Sequence, residues 1–392
     1  DWQESDRMLA GVLTALGTPT RVVSVDGYGQ FDGVVLGSFK EPRVEGRFSG
    51  EQMRSWGVFW GNASGEIVIE DGYVDVAGGL IVDDPSEIHV DGRFALGFPR
   101  QDGGEELNSQ IRLKSRPGVD FRNAFRLEGY SVDGPLSGEL HIFGHYGQVF
   151  GFGRLEIDGA TAYGETFDSV SAGLRFEGNG VRVDGLEILK GNGTITGAAY
   201  VDWDGTYSFN ADGRSIAVET METVRYPRAP LSGELRFTAS GVGAFDLPRY
   251  EVRGRVADLF ISNEGVGEMS GRVDVRDGSM ALELEAASQR LAVSGFGRVA
   301  LTPEADADLT FRFTNTSLDP YIRAFEPRLS TFTAVISGTI RVHGQLRNLD
   351  HLKMDGLVEQ FDVNLFDYQV RNEGPMQLSL EKQVVRVERL HL

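Results

Sequence analysis

Apolar and polar positions alternate with a period of two along most of this chain. In residues 65–76 the run Gly-Glu-Ile-Val-Ile-Glu-Asp-Gly-Tyr-Val-Asp-Val predicts two strands around Asp71-Gly72. Residues 180–188, 271–284 and 376–390 read the same way, the middle two around Asp184-Gly185 and Asp277-Gly278. Asp-Gly between alternating apolars is a strong local hairpin signal, because both turn positions need a left-handed backbone. Each strand has one apolar and one polar face, so the expected sheet is antiparallel with one side in water.

Helical spacing is rare and short. It occurs over residues 6–16, with an acidic start, and more briefly over 120–125, 218–224 and 319–325. Segments of one or two turns need a sheet to pack against. A strand with a similar opening follows each of them. Pro135-Leu-Ser-Gly-Glu-Leu140 recurs verbatim as Pro230-Leu-Ser-Gly-Glu-Leu235, with variants Ile336-Ser-Gly-Thr-Ile340 and Phe31-Asp-Gly-Val-Val35. The shared glycines are Gly33, Gly138, Gly233 and Gly338, separated by 105, 95 and 105 residues. The pattern predicts a repeat of about 100 residues, a short helix and then several strands, stacked as an array. The expected boundaries are 1–130, 131–229, 230–330 and a truncated 331–392.

No linker breaks the pattern, so the expected fold class is all-β: an elongated, curled antiparallel sheet with one short helix per repeat. Tandem sandwich domains are the alternative. Four short helices cannot cover the apolar face of 25 to 30 strands. The face therefore closes on itself, or it forms a trough that something apolar fills. At about 4.8 Å per strand, a single sheet of that size would reach on the order of 120–145 Å.

Composition narrows the chemistry. Glycine accounts for 51 of 392 residues, about twice ordinary usage, and punctuates the strands as turns and bulges do. Cysteine is absent, which removes disulfides and thiolate metal sites. The net charge is −20. With no basic stripe, nucleic acid is not an expected partner. No window approaches the 18 apolar residues of a membrane-spanning helix. With its start at Asp1, no signal peptide and a stop inside a strand pattern, the chain is expected to be a piece of a longer protein.

No catalytic constellation emerges, so the chain reads as a non-enzyme. His141 and His145 are four apart, but they lie in a strand pattern without a metalloprotease glutamate; they read as surface or turn residues, and no metal is expected. The glycine-rich segments 27–33, 191–197 and 265–271 lack dinucleotide or phosphate-loop spacing. Residues 304–308 do not match a calcium loop, no nucleophile elbow is present, and no cofactor is implied. The sequon matches at Asn62, Asn192 and Asn315 matter only in a eukaryotic secretory setting.

Two stretches carry a resemblance. One is residues 368–392, with Asn372-Glu-Gly-Pro375 followed by a hairpin of alternating apolars. The other is residues 179–197, where a similar hairpin runs into a glycine-rich strand ending at Gly197. With the repeated Pro-Leu-Ser-Gly-Glu-Leu opening, the chain resembles the TamB / AsmA-like family, bacterial relatives of bridge-like lipid-transfer proteins. The likeness extends over the repeats of the whole chain and rests on pattern rather than on a signature. It implies a curled sheet, a "β-taco", with an apolar groove, in a periplasmic protein anchored in the inner membrane of a Gram-negative bacterium. It further implies phospholipid transport between inner and outer membranes, outer-membrane biogenesis, and an outer-membrane Omp85-type partner.

The expected groove lining is the alternating stripe Ile67, Ile69, Leu140, Ile142, Leu155, Ile157, Leu174, Phe176, Val181, Val183, Leu235, Phe237, Val273, Val275, Leu282, Leu284, Phe311, Phe313, Ile340, Val342, Leu378 and Leu380. Any one of these is also an ordinary core position; only the continuous stripe points to function. Three roles remain open: a conduit for acyl chains, a scaffold that pairs its edge with strands of outer-membrane barrels, and a structural stalk with a self-filled groove.

Overall fold

The computed structural model describes residues 25–38, 40–55, 58–83, 86–95, 105–114, 131–225, 227, 230–288, 290–325, 332–348, 351–365, 368–381 and 384–389. The chain is nearly all β, with a large antiparallel sheet that is not closed. Contacts divide it into two compact units, Asp1–Ile188 with Tyr200–Trp203, and Leu189–Ala199 with Asp204–Leu392.

The first unit carries β1 (Val25–Gly37), β2 (Pro42–Ser55), β3 (Val58–Glu70), β4 (Tyr73–Asp83), β5 (Ser86–Ala95) and β6 (Leu107–Lys114). It continues with β7 (Val132–Asp133), β8 (Leu136–His145), β9 (Gln148–Asp158), β10 (Thr161–Ala162), β11 (Glu165–Thr166) and β12 (Ser169–Gly178). Neighbours pair antiparallel in the order β1-β2-β3-β4-β5-β6-β8-β9-β12. The two-residue strands β7, β10 and β11 form a separate small sheet.

β13 (Gly180–Lys190) and β14 (Gly193–Asp202) lie where the division falls. The second unit then runs through β15 (Thr206–Ala217), β16 (Leu231–Ala244), β17 (Tyr250–Ile261), β18 (Glu264–Arg276), β19 (Ser279–Ala287) and β20 (Ala292–Ala300). It ends with β21 (Asp306–Ser317), β22 (Phe332–Gln345), β23 (Lys353–Leu365), β24 (Tyr368–Arg371), β25 (Met376–Glu381) and β26 (Val384–Arg389). β15 to β23 pair in sequence, β25 follows on β23 and β26 on β25, while β24 takes the far end of β23.

Most sequence hairpins fold as expected. Asp277 and Gly278 both adopt positive φ, 50° and 71°, which lets a two-residue turn follow the strand twist. Residues 180–188 are a correction: no hairpin forms at Asp184-Gly185. β13 runs through it, with Gly185 at φ 59°, and the turn falls at Gly191-Asn192. A left-handed glycine inside a strand makes a bulge as readily as a turn, and what decides is where the neighbouring strands end.

The helix expected at 319–325 is present as α1 (Asp319–Phe325), with Pro320 in its first turn and Asp319 accepting the Ala334 amide at 2.8 Å. The one expected at 218–224 shrinks to a 3-10 turn, Val218–Thr220. The β-branched Val218, Thr220, Thr223 and Val224 are poor helix formers. The expected helices at 6–16 and 120–125 lie outside the described residues.

Each unit has two unlike margins. In the second, register shifts fall at Gly213/Ile216, Ser232/Glu234, Val256/Leu259 and Phe313/Thr316. Antiparallel pairing places all four at one end of the strands, the end where the 3-10 turn and α1 also lie. The opposite end holds the turn at Asp277-Gly278. In the first unit the shifts at Gly50/Met53, Ser64/Glu66 and Val76/Gly79 likewise fall away from the turn at Asp71-Gly72. Extra residues on one margin only sharpen the local twist and bend the sheet toward that side.

Candidate functional site: an apolar face with a glycine floor

Directly paired residues share a face, so the register assembles the apolar stripe strand by strand. In the second unit one row passes through Ala239, Val252, Val273, Leu282, Gly297, Leu309, Val342, Met354 and Leu380. The adjoining row is Gly213, Phe237, Gly254, Gly271, Leu284, Gly295, Phe311, Ile340, Gly356 and Leu378. Leu235 and Phe313 belong to the flanking row on the bulged side, and Val275 to the one beside the turns. Every expected lining residue from Leu235 onward therefore faces the same way.

The first unit repeats the arrangement. Ile67 and Ile69 pair with Val76 and Val74. Leu140, Ile142, Leu155 and Ile157 join the face through β6, β8 and β9, and Leu174 and Phe176 sit opposite Gly153 and Gly151. Val181 and Val183 are half-buried, two apart in β13, and so share a face.

Sequence reasoning missed the glycines of this face. Half of the second row is glycine, each beside a bulky neighbour. A Cβ built on Gly295 would lie 2.7 Å from the Phe311 ring, and one on Gly241 2.6 Å from the ring of Phe209. In the first unit Phe31 occupies the same space over Gly46, at 2.6 Å. The rings lie down over the glycines and form a thin, smooth wall. The readable signal was glycine in phase with the apolars, as in Phe31-Asp-Gly33 and in Gly151, Gly153, Leu155 and Ile157 of β9.

Burial on this face is inverted relative to a closed sandwich, which buries mid-strand positions most deeply. Here the margins are buried. Ile216, Leu259, Val266 and Ala334 lie on the bulged side, Val275, Val299 and Ala307 beside the turns, and Val266 and Val275 are 1% and 0% exposed. Between them Val273, Leu282, Leu284, Leu309, Phe311, Ile340 and Val342 remain only half-buried. In the first unit Ile88, Leu113 and Leu136 form a buried cluster at the bulged side, while Val90, Ile111, Leu140, Ile142, Leu174 and Phe176 are half-buried. The middle of the face is apolar and accessible.

The bulged margin is closed by polar ties as well. Arg323 of α1 donates two hydrogen bonds to Glu264 of β18, at 2.9 and 3.0 Å, and Arg290 approaches the same carboxylate at 3.4 Å. The Arg323 guanidinium holds Glu264 below the usual carboxylate range. Lys190 at the end of β13 has a side chain only 8% exposed and reaches Glu222, beyond the 3-10 turn, at 3.0 Å. Thr316 Oγ1 is buried between the Ala292 amide and carbonyl.

The other face is laced with ion pairs across strands. Arg93 grips Asp75, Arg341 grips Asp308, and Arg272 reaches Glu251. Arg341 lowers the Asp308 carboxyl below its ordinary value. His141 and His145 lie on this face of β8, with the His141 ring 5.4 Å from Phe152. Among the described residues no cluster of three or more metal-ligating side chains occurs, and no helix is long and apolar enough to cross a membrane. No protein-family model, curated protein or solved structure matches the chain.

Proposed function

We propose that each unit holds the acyl chains of phospholipid against its apolar face, as part of a periplasmic conduit of the TamB / AsmA-like kind between inner and outer membranes. The supporting observation is the band of half-buried aliphatic and aromatic side chains along mid-strand, flanked on each side by a row of more deeply buried ones. A contiguous apolar band left in water costs about 25 cal/mol per Å², and an acyl chain removes that cost. The glycine floor supports the same reading: a wall without side-chain knobs or hydrogen-bond donors lets a chain slide without fixed stops. No residue takes part in a chemical step.

Native mass spectrometry of the purified protein, with extraction and identification of bound lipid, tests the proposal. Co-purified phospholipid is the expected result, and it should be lost in Leu282→Glu, a charge placed mid-band, but kept in Glu283→Gln on the opposite face. Lipid-free protein, or equal occupancy in both variants, would reject it.

A second reading, a scaffold for barrel strands working with an Omp85-type partner, draws on β1. This thirteen-residue strand pairs only with β2 among the described residues and exposes Val35 by 73%. A long apolar edge accepts a further strand through backbone pairing. Amide-exchange protection of β1 on adding a barrel-strand peptide would favour this reading.

A further inference from the structure

The turn margin carries a feature that the groove alone does not require. In the second unit three strands of one direction end with a large apolar residue in the first position past the strand, Phe245 after β16, Leu301 after β20 and Leu346 after β22; in the first unit Trp203 follows β14 likewise. Each is clamped the same way, its amide donating to a carbonyl of the preceding hairpin turn. The pairs are Trp203 to Asn179 at 2.8 Å, Phe245 to Gly205 at 3.0 Å, Leu301 to Gly278 at 2.8 Å and Leu346 to Ala305 at 3.2 Å. The clamp fixes the residue at the lip, yet leaves it exposed: Phe245 by 52%, Leu301 by 46% and Leu346 by 38%.

These side chains continue the apolar face outward. The Phe245 ring lies 5.3 Å from that of Tyr207, which in turn meets Phe209 at 6.0 Å, over Gly241. In the first unit Trp203 stacks on Phe176 at 6.4 Å and donates its indole N–H to the Gly178 carbonyl. A lip of this kind spares a sliding acyl chain the desolvation that a charged rim would impose. The bulged margin differs, because α1, the 3-10 turn and their ion pairs close it.

Charge at the lip selects what accompanies the chain. Exposed carboxylates Asp246 and Glu304 sit in the same turns as Phe245 and Leu301. Among the described residues Arg249 is engaged with Asp277 and Arg276 with Asp274, while Arg298 on β20 and Arg347 beside Leu346 are not paired. With a net charge of −20, such a lip attracts an ammonium group and repels an anionic headgroup.

The geometry points to the turn margin of the second unit as a lateral portal, over which a zwitterionic, ammonium-ended diacyl phospholipid slides into the groove with its headgroup left at the lip. The inference rests on the lipid-groove reading, and the two can fail separately.

A photoreactive amino acid is placed in turn at Leu282 inside the groove, at Leu301 on the lip and at Phe260 on the bulged margin, and the full chain is loaded from phosphatidylcholine vesicles. Lipid adducts at Leu282 and Leu301, and few at Phe260, are expected. Adducts at Leu282 with Leu301 no better labelled than Phe260 would overturn the portal and leave the groove standing. No adduct at Leu282 would remove both. The double variant Phe245→Asp/Leu301→Asp should load about tenfold more slowly at unchanged final occupancy, since only passage meets the new charges. Unchanged loading would overturn the portal. Vesicles of anionic phosphatidylglycerol should load more slowly than phosphatidylcholine; equal or faster loading would overturn the headgroup assignment.

Discussion

The ring of Phe311 on β21 lies over Gly295, its directly paired neighbour on β20, so closely that a Cβ on the glycine would stand 2.7 Å from the ring. The wall there is one ring thick because the opposite position has no side chain.

Gly295→Val should therefore destabilise the protein even though valine suits a strand better than glycine does. Overpacking a fitted site costs about 1–3 kcal/mol. Combining it with Phe311→Ala should recover part of the loss, since the second change vacates the contested space. Denaturant midpoints of the two singles and the double check this; strict additivity would show that the ring and the glycine do not share the site.

The tie between Arg323 and Glu264 should make α1 sensitive to acid. Glu264 has a lowered folded-state value, with the Arg323 hydrogen bonds as the largest cause. A depressed carboxylate stabilises the fold above its unfolded value, about 4.3, and that contribution fades as pH falls through the lower folded value. Amide exchange of α1 should accelerate below about pH 4.3, and Glu264→Gln should show the faster rate already at neutral pH. The carboxylate is partly exposed, so the loss is small, about 1 kcal/mol or less.

Lys190 and Glu222 are unequal partners, with side chains 8% and 41% exposed. Losing the carboxylate weakens the pairing of a buried ammonium, whereas losing the ammonium leaves a carboxylate that water can reach. Glu222→Gln should cost about 1–3 kcal/mol, and Lys190→Met, which keeps the apolar stem, less than about 1 kcal/mol. Thermal or denaturant unfolding of the two variants tests the order; the reverse order would mean that the lysine is not held as a buried charge.

Among the described residues the Tyr321 hydroxyl of α1 is buried without a hydrogen-bond partner, and its desolvation pushes the phenol up to about 12. Removing an unsatisfied hydroxyl is neutral or favourable. Tyr321→Phe is therefore expected to leave stability unchanged or raise it by up to about 1 kcal/mol. A loss of more than that in denaturant unfolding would point to a hydrogen bond formed in solution.

The alternation in residues 271–284 was enough to place β18, its turn and β19, because a period of two and an Asp-Gly pair are local properties. The same signals determined that the chain is all-β and antiparallel, that α1 starts at Asp319, and that the stripe from Leu235 to Leu380 shares one face. They failed at Asp184-Gly185, where the same dipeptide lies inside a continuous strand, and over 218–224, where a helix pattern shrank to one 3-10 turn. In both places the outcome depends on where neighbouring strands end. Only the tertiary structure showed that the bulges gather on one margin, that glycines and rings interleave across strands, and that mid-strand side chains stay accessible while the rows on either side are buried. Those are properties of register between residues far apart in sequence, and a periodic pattern repeated along every strand carries no information about which of its copies will lie side by side.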